Sequence, residues 1–165
     1  MKKTLIGSLI SIVVLGSCMK SHDNQTTCDP NYDPCAVVAP TTEVMALENY
    51  LFTNGITDAT KHCSGMYYKI DSIGTGKIPT LCSYVYVKYK GQLTNDTVFD
   101  STAVNPAVFN LSSLIAGFKN GVPLIKEGGG IHLYIPPSLA YGNKQNGTIP
   151  PNSILIFQVS LVTVQ

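Results

Sequence analysis

The sequence predicts an α+β domain in which antiparallel strands gather around one short helix, with a separate helix placed ahead of them. Three observations predict it. From Gly65 onward the apolar residues recur at every second position, which is the period of a half-buried strand. A single helical stretch, Ala116 to Val122, interrupts those strands and is closed by Gly121 and Pro123. Before Gly65 the period is helical, with Val44, Leu47 and Leu51 on one face. Many strands with one short helix among them make an α+β domain.

The chain opens on an address. Met1-Lys2-Lys3 is a charged start, Leu5 to Leu15 is an apolar core too short to span a bilayer, and Leu15-Gly16-Ser17-Cys18 follows. Small residues running into a Cys resemble the lipobox of bacterial lipoproteins. That resemblance implies a signal peptide over residues 1–17 and acylation of Cys18. Residues 18–40 are polar and turn-rich, as in Asp29-Pro30-Asn31-Tyr32-Asp33-Pro34, and read as a flexible tether. Thr41 or Thr42 is the expected cap of a helix over 42–53, which Asn54-Gly55 ends. The helical extension occupies residues 41–60 and the main domain 65–165.

Within that domain four strands are expected. Met66 to Ile73 is the first. In the second, Val85 to Lys90, residues Val85, Val87 and Tyr89 share a face. In the third, Ile131 to Ile135, residues Ile131, Leu133 and Ile135 face inward. Ile154 to Val164 is the last, with Leu155, Phe157, Val159 and Leu161 together.

Composition excludes several functions. All eleven basic residues are Lys, and removal of Lys2 and Lys3 leaves nine against ten acidic residues. A near-neutral chain without Arg lacks the clustered cations that nucleic acid needs. His22, His62 and His132 share no metal-ligand spacing, and His132 alternates outward on its strand, toward solvent. There is no G-x-S-x-G or H-E-x-x-H, and Gly128-Gly129-Gly130 lacks the Lys-Ser/Thr of a phosphate loop. No carboxylate pair is arranged for acid–base work. A hydrolase or a metalloenzyme is therefore not expected, and neither a metal nor a cofactor is implied.

With Cys18 acylated, four cysteines remain, an even number that suits two disulfides in an oxidising compartment. Three connectivities exist. Cys28 and Cys35 flank one turn, and Cys63 and Cys82 flank the first strand. Cys28–Cys35 and Cys63–Cys82 are the expected pairs, with other pairings or free thiols left open.

Five segments in fixed order resemble the FK506-binding-protein (FKBP) family of peptidyl-prolyl cis-trans isomerases. They are Val87-Lys88-Tyr89-Lys90-Gly91, Val98-Phe99-Asp100-Ser101, Ile115 to Val122, Ile135-Pro136-Pro137-Ser138-Leu139-Ala140-Tyr141-Gly142, and Ile149-Pro150-Pro151-Asn152-Ser153-Ile154-Leu155-Ile156-Phe157. The resemblance covers residues 65–165. It implies a curved antiparallel sheet wrapped around the short helix, with a pocket between them.

Carried over position by position, the catalytic residues would be Tyr89, Phe99, Asp100, Ile115, Phe118, Tyr141 and Phe157. Phe109, Leu114 and Ile149 would add substrate-binding walls. Tyr141, placed in a loop where core packing explains it poorly, is the best single functional candidate. Phe118 stands where the family usually has Trp. The loop after Asp100 lacks the Arg that often pairs with that Asp, so Asp100 is expected to be hydrated or satisfied by backbone.

The implied activity is isomerisation of X–Pro bonds in exported polypeptides, from a lipid anchor in the bacterial envelope. The absence of Asp after Cys18 points to the outer membrane. Macrolides of the FK506 type are the implied small-molecule ligands. Two other readings compete. One is a peptide-binding chaperone or scaffold of the same fold; the other is a surface lipoprotein folded as a pocketless β-sandwich.

Overall fold

The computed structural model describes residues 28–29 and 31–165. Residues 1–17, expected to be a signal peptide, and residues 18–27 of the expected tether, Cys18 included, lie outside the described residues.

Helix α1 (Thr41–Thr53) is followed by strands β1 (Thr60–Lys61), β2 (Tyr67–Ser72), β3 (Tyr84–Leu93), β4 (Val98–Ser101) and β5 (Ala107–Asn110). Helix α2 (Ala116–Gly121) comes next, then β6 (Gly130–Ile135) and β7 (Leu155–Val164). All strands pair antiparallel in one sheet of order β1-β2-β6-β7-β3-β4. Strand β5 also pairs with β3, beyond the end of β4. One sheet with a helix against it excludes the β-sandwich.

The alternation that marked the strands sorts their side chains onto two faces. On the inner face Val85, Val87, Ile131, Leu133, Ile135, Leu155, Phe157, Val159 and Leu161 form the core. Helix α2 lies on that face. Gly117 and Gly121 are one helical turn apart, and a Cβ at either would drive into Ile135 or Leu133. The two glycines therefore let the helix backbone settle onto the sheet, which carries Phe118 deep beneath it.

The outer face has its own helix. Leu47 and Leu51 of α1 are buried on Tyr134 and Ile156, which stand opposite each other on β6 and β7. This explains why two outward-pointing strand residues are apolar. Pro40 is the N-cap of α1 and no side chain caps it, so neither Thr41 nor Thr42 serves as expected; the helix already includes both. The C-terminal end closes as foreseen. Gly55 has φ +66°, its N–H donates to the Phe52 carbonyl, and the Ile56 N–H donates to that of Leu51, a Schellman closure.

The disulfides are a correction. Cys28 pairs with Cys82 and Cys35 with Cys63, at Cα separations of 5.2 and 5.4 Å. The local pairing assumed one turn joining Cys28 to Cys35. Two turns occur in series instead: Asp29 Oδ1 accepts the Asn31 N–H at 2.9 Å and Asp33 Oδ1 accepts the Cys35 N–H at 2.8 Å. The segment thus advances along the domain, where the Tyr32 hydroxyl donates to Asn120 Oδ1 at 2.7 Å and Ala39 is buried. In the region expected to be a tether, Cys28, Tyr32, Cys35 and Ala39 are fastened to the domain.

Candidate active site

The site grows from a glycine on β3. Gly91 stands opposite Phe157 on one side and Asp100 on the other. A Cβ there would lie 2.6 Å from the Phe99 ring and 2.8 Å from that of Phe157. Only glycine leaves those two rings their places. Phe157 is the hub: its ring meets Phe118 edge-on at 4.7 Å, Phe99 edge-on at 5.4 Å and Tyr89 at a tilt at 6.2 Å. Phe109 extends the wall, 6.1 Å from Tyr89. Phe118, from α2, is the floor.

Between these walls lies a cavity of about 580 Å³ lined by Tyr89, Phe99, Asp100, Phe109, Leu114, Ile115, Phe118, Tyr141, Ile149 and Phe157. All ten residues named from the sequence thus face one hollow. Ser113, Asn146, Gly147 and Thr148 also line it and were not foreseen. Ser113 closes a short 3-10 turn before α2. The other three belong to a tight hairpin in which Asn146 and Ile149 exchange backbone hydrogen bonds of 3.1 and 2.9 Å, with Gly147 at φ +56°. The Asn146-Gly147 pair was a hairpin signal present in the sequence.

Among the polar groups around the cavity, four belong to residues named from the sequence. The Tyr89 hydroxyl donates to Asp100 Oδ2 at 2.5 Å. Asp100 thus has a phenol as its hydrogen-bond partner, where a backbone partner or solvent was expected, and its carboxylate is exposed. Burial first, then this hydrogen bond and the Asp100 charge, push the Tyr89 phenol well above the ordinary tyrosine range. The Tyr141 hydroxyl at the rim makes no hydrogen bond among the described residues, and Tyr141 is 37% exposed. Ile115 is the N-cap of α2, and its backbone N–H likewise has no acceptor among the described residues.

An apolar hollow with two free donors at its edge can hold an extended peptide carbonyl by carbonyl while keeping its central ring dry. No His stands in it. His132 is half-buried, not solvated: its Nδ1 lies 2.9 Å from Asp71 Oδ2 on the sheet. Among the described residues no three His, Cys, Asp or Glu side chains gather as metal ligands. No helix among them is long and apolar enough to cross a membrane.

Comparison with known proteins agrees with this geometry. A family model described as FKBP-type peptidyl-prolyl cis-trans isomerase matches residues 76–162. A probable FKBP-type peptidyl-prolyl cis-trans isomerase FkpA of Neisseria meningitidis serogroup B is 45% identical over 121 residues, 71% of this chain and 44% of the relative. The peptidyl-prolyl cis-trans isomerase Mip of Coxiella burnetii is 43% identical over 105 residues, 62% of this chain and 46% of the relative. The chain thus spans less than half the length of these relatives. Among solved structures, FkpA from Escherichia coli superposes with a TM-score of 0.68 at 34% identity, covering 75% of this chain and 60% of that one. A peptidyl-prolyl cis-trans isomerase from Pseudomonas syringae pv. tomato gives 0.66 at 28% identity, covering 77% and 97%.

Proposed function

This chain belongs to the FKBP-type peptidyl-prolyl cis-trans isomerase family, and from that premise we propose that it catalyses X–Pro isomerisation in exported polypeptides of a bacterial envelope. The observation that carries this reading is the hollow itself: aromatic and aliphatic walls, a phenylalanine floor and two unpaired donors at the edge.

The chemistry follows from the amide. Resonance opposes rotation about the X–Pro bond with a barrier of about 18–20 kcal/mol. At the half-rotated stage the nitrogen is pyramidal and the carbonyl has lost conjugation, so the group is less polar and less in need of water. A dry pocket favours that state over the planar one, and only such differential binding accelerates the step. The proline ring rests on Phe118 between Phe99, Tyr89 and Phe157, with Phe109, Leu114 and Ile149 around it. The Ile115 N–H and the Tyr141 O–H hold the flanking carbonyls, and the Tyr89–Asp100 hydrogen bond keeps that wall in place. Lowering the barrier by about 5 kcal/mol gives a few thousand-fold. No bond breaks, and no proton leaves the protein. A hollow of this shape also suits a macrolide of the FK506 type.

The chain's address completes the proposal. Removal of residues 1–17 leaves Cys18 as the acylated N-terminus, and the outer membrane is the site. Two disulfides suit an oxidising compartment.

Catalysed cis–trans exchange of a short X–Pro peptide tests the activity. The purified protein is expected to accelerate exchange, and Tyr141→Phe to slow it. A wild-type rate equal to buffer contradicts the proposal.

A further inference from the structure

A glutamate in the first turn of a helix ordinarily reaches back to the N–H of the N-cap residue. In α1 the N-cap is Pro40, which has no N–H to offer. The Glu43 carboxylate turns to another part of the chain instead. Its Oε2 accepts the backbone N–H of Ser138 at 2.8 Å, across 95 residues of sequence.

The donor is equally particular. The 3-10 turn Pro137–Leu139 is entered through Pro136, so neither its N-cap residue nor its first residue, Pro137, has an N–H, and the Leu139 N–H returns to the Pro136 carbonyl at 3.1 Å. The Ser138 N–H is the one left over in that turn. Beyond it the chain winds around the Pro137 carbonyl, which accepts the N–H groups of Ala140 at 2.9 Å and Gly142 at 2.8 Å. The Gly142 carbonyl then takes the Asn152 N–H at 2.8 Å. Tyr141 sits on this winding, with its hydroxyl at the rim of the hollow.

We propose that Glu43 is a positioning residue for the isomerase: by holding the Ser138 N–H it fixes the root of the loop that presents Tyr141, which makes α1 part of the catalytic unit and not a spacer. This rests on the isomerase reading above. A charge-assisted hydrogen bond is among the stronger single contacts available to such a loop, and a small displacement of an orienting group lowers turnover more than binding.

The test compares Glu43→Ala and Glu43→Gln with Glu48→Ala. Glu48 fastens the same helix to the sheet, accepting from the Tyr67 hydroxyl at 2.7 Å and Lys61 Nζ at 2.8 Å, and bonds to nothing in the tyrosine loop. Glu43→Ala is expected to lower kcat about three- to tenfold with KM unchanged. Gln, which keeps an acceptor oxygen, restores most of the rate, and Glu48→Ala leaves kcat within about twofold. In a Tyr141→Phe background Glu43→Ala costs little more. An undiminished extra loss in that background, or an equal fall in Glu48→Ala, overturns the proposal.

Amide hydrogen exchange reads the anchoring without turnover. Ala140 and Gly142 are expected to exchange at least about fivefold faster in Glu43→Ala, while Leu133 and Val159 stay unchanged. Unaltered exchange at the loop overturns the proposal. A wild-type protein with no rate above buffer would sink the isomerase reading alone, since the exchange experiment still decides whether Glu43 holds the loop.

Discussion

Each face of the sheet carries a helix, and the two helices cover it differently. On the outer face Leu47 and Leu51 of α1 meet Tyr134 and Ile156, and all four are nearly closed to solvent. On the inner face α2 presses down at Gly117 and Gly121, but beyond Phe118 the aromatic residues stop short of one another and leave about 580 Å³ open. The outer contact is filled and the inner one is filled only in part. Filling gives stability, whereas an unfilled aromatic gap gives a place for a substrate whose ring completes the packing. Both faces are built from the same residue types, so what separates scaffold from site is how much of the space the protein's own side chains occupy.

The comparison can be broken at four places. The largest effect is expected at Phe157, which belongs to both the core and the hollow. Phe157→Ala should cost about 3–5 kcal/mol by chemical denaturation and abolish catalysis together. Next comes Leu47, fully buried on the other face. Leu47→Ala should cost about 2–4 kcal/mol while the folded fraction keeps its kcat, so stability and activity separate. Phe99 is half-buried, lining the hollow and packed only against the edge of the core. Phe99→Ala should lower kcat/KM about tenfold or more with a stability loss near 1 kcal/mol, read by the same two assays.

The smallest effect concerns Tyr89. Its phenol titrates higher in the folded protein than in the unfolded chain. The stabilisation this represents is complete below the unfolded value near pH 10 and is lost as pH rises through the higher folded value. Unfolding midpoints measured across that alkaline range should therefore fall in the wild type and fall less steeply in Tyr89→Phe.

Much of this was legible before any coordinates. Strands β2, β3, β6 and β7 lie within a residue or two of where alternation placed them, except that β3 runs on to Leu93, and the inward sets from Val85 to Leu161 are buried apart from Tyr89, which is partly buried at the hollow. Long strands with one wet and one dry face write their period plainly. Strands β4 and β5 did not, because four residues at a sheet edge carry too few alternations to register. Eight of the ten site residues came from ordered motifs, Phe109 and Leu114 from the segments between them, and the structure gathers all ten around one cavity.

What stayed hidden depends on the path of the chain. The disulfide partners follow from two successive turns at Asp29 and Asp33, where a single turn was assumed. The Asp100 partner was sought in a loop that has no Arg, while Tyr89 already stood across the sheet from it. The Glu43 contact spans 95 residues and leaves no local pattern at all.

The central claim is that the hollow works by preferring a twisted imide, with no proton transfer. Exchange of an X–Pro peptide followed by NMR in H₂O and D₂O, from about pH 6 to 9, tests it most directly. Catalysed exchange should run at the same speed in both solvents and show no bell-shaped dependence on pH. A solvent isotope effect of about two or more, or a rate that follows one titrating group, would contradict it.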